Sequence, residues 1–262
     1  MSFELINDHF QNFKRYNIPK AQLIIADIPY NVGNNAYASS PQWYVDGQIS
    51  EGQSEVAGKQ FFDTDKEFRI SEFMEFTARL LKKEPREKSE APCMIVFCAF
   101  EQIPEVIKQG KDRGSFAHYI PLVFRKDFSP QVLKANMRVV GNVEYAILLY
   151  RDKLPKFRNK RADGSTRMVF NCMDWVKDTA TPKVHPTQKP VHLIEQLIEV
   201  FTDPGDVVID PVAGSGVTLL AAENLERESY GFEIKKEYVK AFEEQIAPCV
   251  RQGFDLWGSE TA

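Results

Sequence analysis

Residues 207–216 read Val-Val-Ile-Asp-Pro-Val-Ala-Gly-Ser-Gly. Val207, Val208 and Ile209 are apolar β-formers, and such a run predicts a short buried strand. Asp210 stands at its carboxyl end. The small-residue turn Ala213-Gly214-Ser215-Gly216 follows, and Val217–Leu225 continues as an apolar helix. In an open α/β sheet, this strand–turn–helix junction is where a nucleotide-like ligand sits. Glycines let the backbone approach the ligand, and the helix start offers unpaired N–H groups.

Two familiar phosphate loops do not fit. A P-loop needs Lys and then Ser or Thr directly after its last glycine, but Gly216 is followed by Val217 and Thr218. The dinucleotide fingerprint needs a third glycine where Leu219 stands. Tyr230–Ile234 reads as the next strand, with Glu233 near its end. An acid about 20 residues beyond the glycine loop is placed to accept hydrogen bonds from ribose hydroxyls. Loop and acid together point to an adenosine-containing ligand without a nicotinamide fingerprint.

Further apolar runs resemble buried strands: Leu23–Ala26, Met94–Ala99, Tyr119–Phe124 and Tyr145–Tyr150. Helical spacing marks Phe73, Phe76, Leu80 and Leu81 on one face. It also marks Ile194, Leu197, Ile198 and Phe201, with Glu195 and Glu199 opposite. Val217–Leu225 and Tyr238–Ile246 supply two more helices. Strands alternating with helices predict an α/β fold, mostly parallel, with helices on both faces. The runs at Tyr119–Phe124 and Tyr145–Tyr150 are joined by an irregular polar stretch, which predicts an antiparallel pair at one sheet edge. Residues 31–60 and 151–184 lack periodicity and are long enough to be functional loops.

The chain has 262 residues, fitting a single domain, 1–262. No apolar run approaches the ~20 residues of a membrane helix. Met1-Ser2-Phe3-Glu4 lacks a basic-then-apolar signal pattern, so a cytoplasmic location is expected. Cys93, Cys98, Cys172 and Cys249 form no Cys-x-x-Cys pair; they read as reduced thiols, and no metal site is expected. The net charge of −4 excludes a basic coat that would cover DNA by charge alone. It leaves room for a local patch, because charge acts over about 10 Å. Residues 151–167 supply one, with Arg151, Lys153, Lys156, Arg158, Lys160, Arg161 and Arg167 against Asp152 and Asp163.

Two more constellations carry chemistry. Asp27-Ile28-Pro29-Tyr30 follows the strand Leu23–Ala26 and sets a carboxylate, a rigid proline and an aromatic ring at a strand end. His185-Pro186-Thr187-Gln188-Lys189-Pro190 leads into the helix Val191–Thr202. Taken alone, each also reads as an ordinary turn or helix lead-in.

Their combination and order resemble the S-adenosylmethionine-dependent DNA amino-methyltransferases of the beta group. That family runs Asp-Pro-Pro-Tyr, a target-recognition segment, His-Pro-Thr-Gln-Lys-Pro, then Asp-Pro-Phe-Ala-Gly-Ser-Gly-Thr-Thr. Asp27–Tyr30, His185–Pro190 and Asp210–Thr218 match in that order. The chain is most similar to the small, solitary members that phages and mobile elements carry. The resemblance implies a Rossmann-like methyltransferase fold with permuted motifs: a catalytic half, 1–150, a basic target-recognition segment, 151–184, and a cofactor-binding half, 185–262.

The resemblance also implies roles. Asp210 and Ala213, Gly214, Ser215 and Gly216 would hold the cofactor's methionine part, Glu233 its ribose, and Thr187 and Lys189 its amino-acid end. Asp8, in Ile6-Asn7-Asp8-His9-Phe10, would contact its adenine, and Asp27 would border the cofactor. The Asp27 carboxylate and the Ile28 carbonyl would accept both N–H bonds of a base amine, with Pro29 shaping the turn. Tyr30 would stack on a base extruded from the duplex. Arg151 to Arg167 would contact double-stranded DNA, and the loop 31–60 would close beside the flipped base. A homodimer is implied by resemblance alone, and a partner nuclease stays open. Asp followed by Tyr favours adenine N6 over cytosine N4, whose enzymes usually begin this motif with Ser. Ile28 and Val212 depart from the family's proline and phenylalanine. The Ile28 change predicts a looser turn, and a disabled DNA- or cofactor-binding protein is the reading of another class.

Overall fold

The computed structural model describes residues 3–30, 68–127, 131–134, 139–160, 163–185 and 187–250. Ten strands form: β1 (Phe3–Ile6), β2 (Leu23–Asp27), β3 (Cys93–Cys98), β4 (His118–Lys126), β5 (Gln131–Lys134), β6 (Val139–Gly141), β7 (Val143–Tyr150), β8 (Cys172–Trp175), β9 (Val207–Asp210) and β10 (Glu228–Phe232). The helices are α1 (Ile70–Thr77), α2 (Ile103–Gly114), α3 (Val191–Phe201), α4 (Val217–Asn224) and α5 (Lys236–Ala241). Strands β5 and β6 pair by themselves; the other eight build one sheet, ordered β1-β10-β9-β2-β3-β7-β4-β8.

The sequence explains the direction of these strands. The cores of β2, β3 and β9 are Leu-Ile-Ile-Ala, Cys-Met-Ile-Val-Phe-Cys and Val-Val-Ile, apolar on both faces and buried along their length. Only interior strands covered on both sides read this way. The five strands β1, β10, β9, β2 and β3 run parallel. Strand β7 runs antiparallel to β3 and to β4. The antiparallel pair of β4 and β7 is therefore present, but β8 adds outside it, parallel to β4.

Alternation along each strand divides the core between the two faces. Leu23, Ile25, Ile95 and Phe97 pack with Leu193, Leu197, Leu219 and Leu220 of α3 and α4. Ile24, Ala26, Met94 and Val96 pack with Phe73, Met74 and Val106 of α1 and α2. Helix α1 ends at Thr77, so Leu80 and Leu81 lie in the turn beyond it, where Leu81 bridges to Ala21. Glu195 departs from expectation. It is buried, and Asn224 of α4 donates to its Oε1 at 2.7 Å, so the face opposite Ile194 is a second contact and not a wet one.

One topological fact positions the site. From β9 the chain passes through α4 to β10 on one side; from β2 it passes through α1 to β3 on the other. Strands β9 and β2 are neighbours. The strand order thus reverses between them, and ligands of open α/β sheets bind at the carboxyl ends flanking such a point.

Candidate active site

Four of the five parallel strands end at, or close before, a residue that the sequence singles out. Strand β2 ends on Asp27, β9 on Asp210, β10 just before Glu233, and β1 two residues before Asp8.

The loop after β9 is a tight backbone turn. Gly216 donates to the Ala213 carbonyl at 2.8 Å, and Ala213 donates to that of Phe232 at 2.9 Å. Gly214 and Gly216 have φ of 53° and 73°, in the left-handed region where a Cβ is strained. A Cβ on Gly216 would also stand 2.3 Å from the Phe242 ring. Glu233 closes the loop: its Oε2 accepts from the Gly214 N–H at 2.9 Å and its Oε1 from that of Lys235 at 2.7 Å. Asp210 is buried beneath, and its Oδ1 accepts from Val212 N–H at 3.1 Å. Burial, opposed by the Thr218 hydroxyl and Val212 N–H and reinforced by the charges of Asp27 and Glu233, pushes Asp210 up to about 7. Burial also raises Asp27 and Glu233. Three carboxyl groups at one crevice make a place that favours a cation.

Asp27 meets Lys189 here. The Lys189 ammonium lies 2.6 Å from Asp27 Oδ2 and 3.2 Å from Glu144 Oε2, within an aromatic cage of Phe97, Tyr30 and Trp175. Lys189 is expected at the cofactor's amino-acid end; its ammonium stands on the Asp27 carboxylate. Burial would lower Lys189, but Asp27 and Glu144 more than offset this and hold it raised. Among the described residues, Asp27 Oδ1 is buried and accepts no hydrogen bond of normal geometry, while the Tyr30 hydroxyl interacts with the same carboxylate.

The turn after β2 answers the expected loosening at Ile28. The Ile28 N–H donates to the Phe97 carbonyl at 3.2 Å, a bond proline could not make, and its side chain is buried in the core. The Pro29 carbonyl accepts from Gln102 Nε2 at 2.8 Å. Lost φ restriction is thus offset by anchoring at three consecutive residues, Asp27, Ile28 and Pro29.

The remaining candidates are placed as follows. Thr187 is exposed; its N–H lies 3.3 Å from His185 Nδ1, and the His185 ring stands 3.8 Å from a Cβ built on Gly214. The segment 185–190 therefore lies against the glycine loop as well as against Asp27. Ser215 is buried in the loop. Asp8 has its carboxylate occupied by its own surroundings: Oδ1 accepts from His9 N–H and Asn12 Nδ2, both at 2.7 Å, and Oδ2 from the Tyr16 hydroxyl at 2.8 Å. These bonds, that of Asn12 first, hold it below its ordinary value.

The basic segment is not at this crevice. Strand β7 is antiparallel, so the chain leaves it at the amino-terminal edge of the parallel strands, and residues 151–158 run along that edge. Arg151 donates to the carbonyls of Ala78 and Lys82. Lys153 donates to that of Pro85. Lys156 Nζ pairs with Asp206 at 2.5 Å and Asp203 at 2.8 Å; Arg158 pairs with Asp203 at 2.6 Å and Glu90 at 3.0 Å. Arg167 faces Glu199 at 3.4 Å. Lys160 is exposed. The structure thus separates the DNA-contact candidates from Asp27 and uses most of their charge internally. Arg161 and the loop 31–60 lie outside the described residues.

Residues 21–244 match the N6/N4 methyltransferase family described as DNA methylase. The chain belongs to this family. Among its relatives, the type II methyltransferase M.HpaI of Haemophilus parainfluenzae is 25% identical over 86% of this chain and 67% of its own. The methylase YubD of Escherichia coli (strain K12) is 43% identical over 66% of each chain. M.BglII of Bacillus subtilis is 50% identical, but over only 21% of this chain and 16% of its own. The chain thus spans about two thirds or less of the relatives it matches. The fold of M1.HpyAVI, solved as a complex with SAM, superposes at a TM-score of 0.65, 23% identity, 93% of this chain and 98% of that one. PvuII DNA methyltransferase, cytosine-N4-specific, superposes at 0.66, 18% identity, 93% and 86%. Parallel pairing of β2 with β9 brings Asp27 and Asp210, so distant in sequence, to adjacent strand ends. Two site residues escape sequence reading: Glu144, and His185 as a wall of the glycine loop.

Proposed function

We propose that this DNA methylase transfers a methyl group from S-adenosylmethionine to the N6 amine of adenine in double-stranded DNA. The observation that carries the reading is the buried Oδ1 of Asp27, which accepts no hydrogen bond of normal geometry, at the switch-point crevice, two strand ends from Glu233 and beside the glycine loop. The three-carboxyl crevice and the tight glycine turn, with Gly214 and Gly216 in the left-handed region, fit this cationic, adenosine-bearing cofactor. Ala213–Gly216 would hold its methionine part and Glu233 its ribose. When bound, it supplies a methyl group activated on a sulfonium.

The residues of the chain do the rest. An exocyclic amine is a poor nucleophile because its lone pair is delocalised into the ring. Asp27 Oδ1 accepts one of its N–H bonds and draws the nitrogen towards tetrahedral geometry, which frees the lone pair. A fixed carboxylate in a dry crevice acts by positioning and by electrostatics already in place. Tyr30 stacks on the extruded base, a contact worth about 1–3 kcal/mol. The nitrogen's surplus proton passes to Asp27 or to water. DNA approaches the carboxyl ends of the strands, where the exposed Lys177 and Lys183 lie between β8 and Lys189.

The same geometry would serve cytosine N4. Incubation of the purified protein with DNA of mixed sequence and the cofactor, followed by nucleoside mass spectrometry, separates the two. N6-methyladenine is expected. N4-methylcytosine without N6-methyladenine would overturn the adenine assignment.

A further inference from the structure

We infer that Glu144 is a positioning residue for methyl transfer, acting on Asp27 through the ammonium of Lys189 and on the ring of Tyr30 through its hydroxyl. The inference rests on the methyltransferase reading and adds a residue that no matched motif contains. Glu144 is the second residue of β7. A residue this early in a parallel strand would lie at the far edge of the sheet. Because β7 is antiparallel, its start lies at the carboxyl ends, opposite Phe124 and one pair from the Tyr145–Cys98 pair.

Four charged side chains meet there. Lys189 Nζ is shared between Asp27 Oδ2 at 2.6 Å and Glu144 Oε2 at 3.2 Å. Lys126, from β4, pairs with the other oxygen of Glu144 and lies 4.5 Å from the Trp175 ring centroid. The Tyr30 hydroxyl donates to Glu144 Oε2 at 3.4 Å. The Lys189, Lys126 and Glu144 side chains are 5%, 10% and 17% exposed, so solvent screens them little. Two cations and two carboxylates balance. Without Glu144 the balance is lost, and Lys189 has Asp27 as its sole carboxylate. A tighter Lys189–Asp27 pair at Oδ2 draws charge from the carboxylate and makes Oδ1 a weaker acceptor for the base amine, and Tyr30 loses the bond that fixes its ring.

Among the described residues, Glu144 contacts Lys189, Lys126 and Tyr30 and not the glycine loop or Glu233, so its loss should act on the rate of transfer and not on cofactor binding. The test is a coupled set of variants, Glu144→Gln, Lys189→Met and the double variant, assayed in single turnover with saturating cofactor and DNA. Glu144→Gln should slow transfer at least tenfold while cofactor affinity stays within about twofold. The double variant should be slower than Lys189→Met alone only by the part that acts through Tyr30, and so by clearly less than the factor Glu144→Gln costs in the parent, because effects passed through Lys189 do not add. A residue that only supports the fold would slow the double variant by the product of the two effects, and that result overturns the inference. Transfer by Glu144→Gln at the parent rate overturns it too. If Glu144→Gln does not fold, Glu144→Asp, which keeps the charge but shortens its reach, gives the same cycle with Lys189→Met. Absence of transfer by the parent protein removes both this inference and the methyltransferase reading, whereas an active parent with independent effects removes this inference alone.

Discussion

Asp210 shows what one buried carboxyl group contributes at the residue scale. Its ordinary value is 3.8 and burial, only partly offset by the Thr218 and Val212 bonds, pushes it to about 7 in the folded chain. The raised value sets the sign. The fold favours the protonated form, so this contribution to stability is present below about pH 4 and is lost as pH rises through about 7. One pKa unit corresponds to about 1.4 kcal/mol, so the whole effect is at most about 4 kcal/mol. Asp210→Asn, which keeps the acceptor for Val212, should therefore melt above the parent protein at pH 8, with the gap narrowing towards pH 5. Thermal melts across that range check this; a variant less stable than the parent at pH 8 would contradict the assignment. The role of Asp210 at a strand end before a glycine turn was legible in sequence. Its titration was not, because the charges of Asp27 and Glu233 come from chain segments far away.

At the scale of elements, local patterns were read well and long-range pairing was not. The segment Val207–Leu225 folds as its pattern predicts because strand, turn and helix each depend on near neighbours. Charge counting over 151–167 leaves out the long-range ion pairs that engage this segment. Arg158 pairs with residues 45 and 68 positions away, Asp203 and Glu90, and a local sum cannot see them. The ion pairs fasten the segment after β7 to the turn before β9. Burial opposes, but Lys156 and Lys82 hold Asp206 below its ordinary value, so acid weakens this clasp. Arg158→Ala should cost about 1 kcal/mol of stability, the scale of a partly exposed ion pair. It should leave DNA affinity and its salt dependence unchanged. Lys177→Ala and Lys183→Ala should each lower the salt slope of DNA binding by about one, as a lost phosphate contact does. Binding isotherms at several salt concentrations decide between the two surfaces, and a slope change confined to Arg158→Ala would return DNA contact to the basic segment. Glu144 was illegible for a related reason: only the antiparallel direction of β7 carries it to the site.

The whole molecule is organised by the reversal between β9 and β2. Permuted order places the Asp27 turn early in the chain and the glycine loop late, and parallel pairing of Leu23 with Val208 and Ile24 with Ile209 brings the two strand ends together. Every role proposed depends on that meeting, from the carboxyl cluster to the share of Lys189 between Asp27 and Glu144. Among the described residues no helix is long and apolar enough to cross a membrane. The central claim is that the Asp27 carboxylate, standing at this junction, takes the N–H of a DNA base amine. It is tested most directly by comparing DNA methylated by the parent protein and by Asp27→Ala, using nucleoside mass spectrometry, with cofactor affinity measured on both proteins. N6-methyladenine is expected from the parent, with a loss of at least a hundredfold in the variant and cofactor binding in both. Methylation by Asp27→Ala at the parent level would contradict the claim.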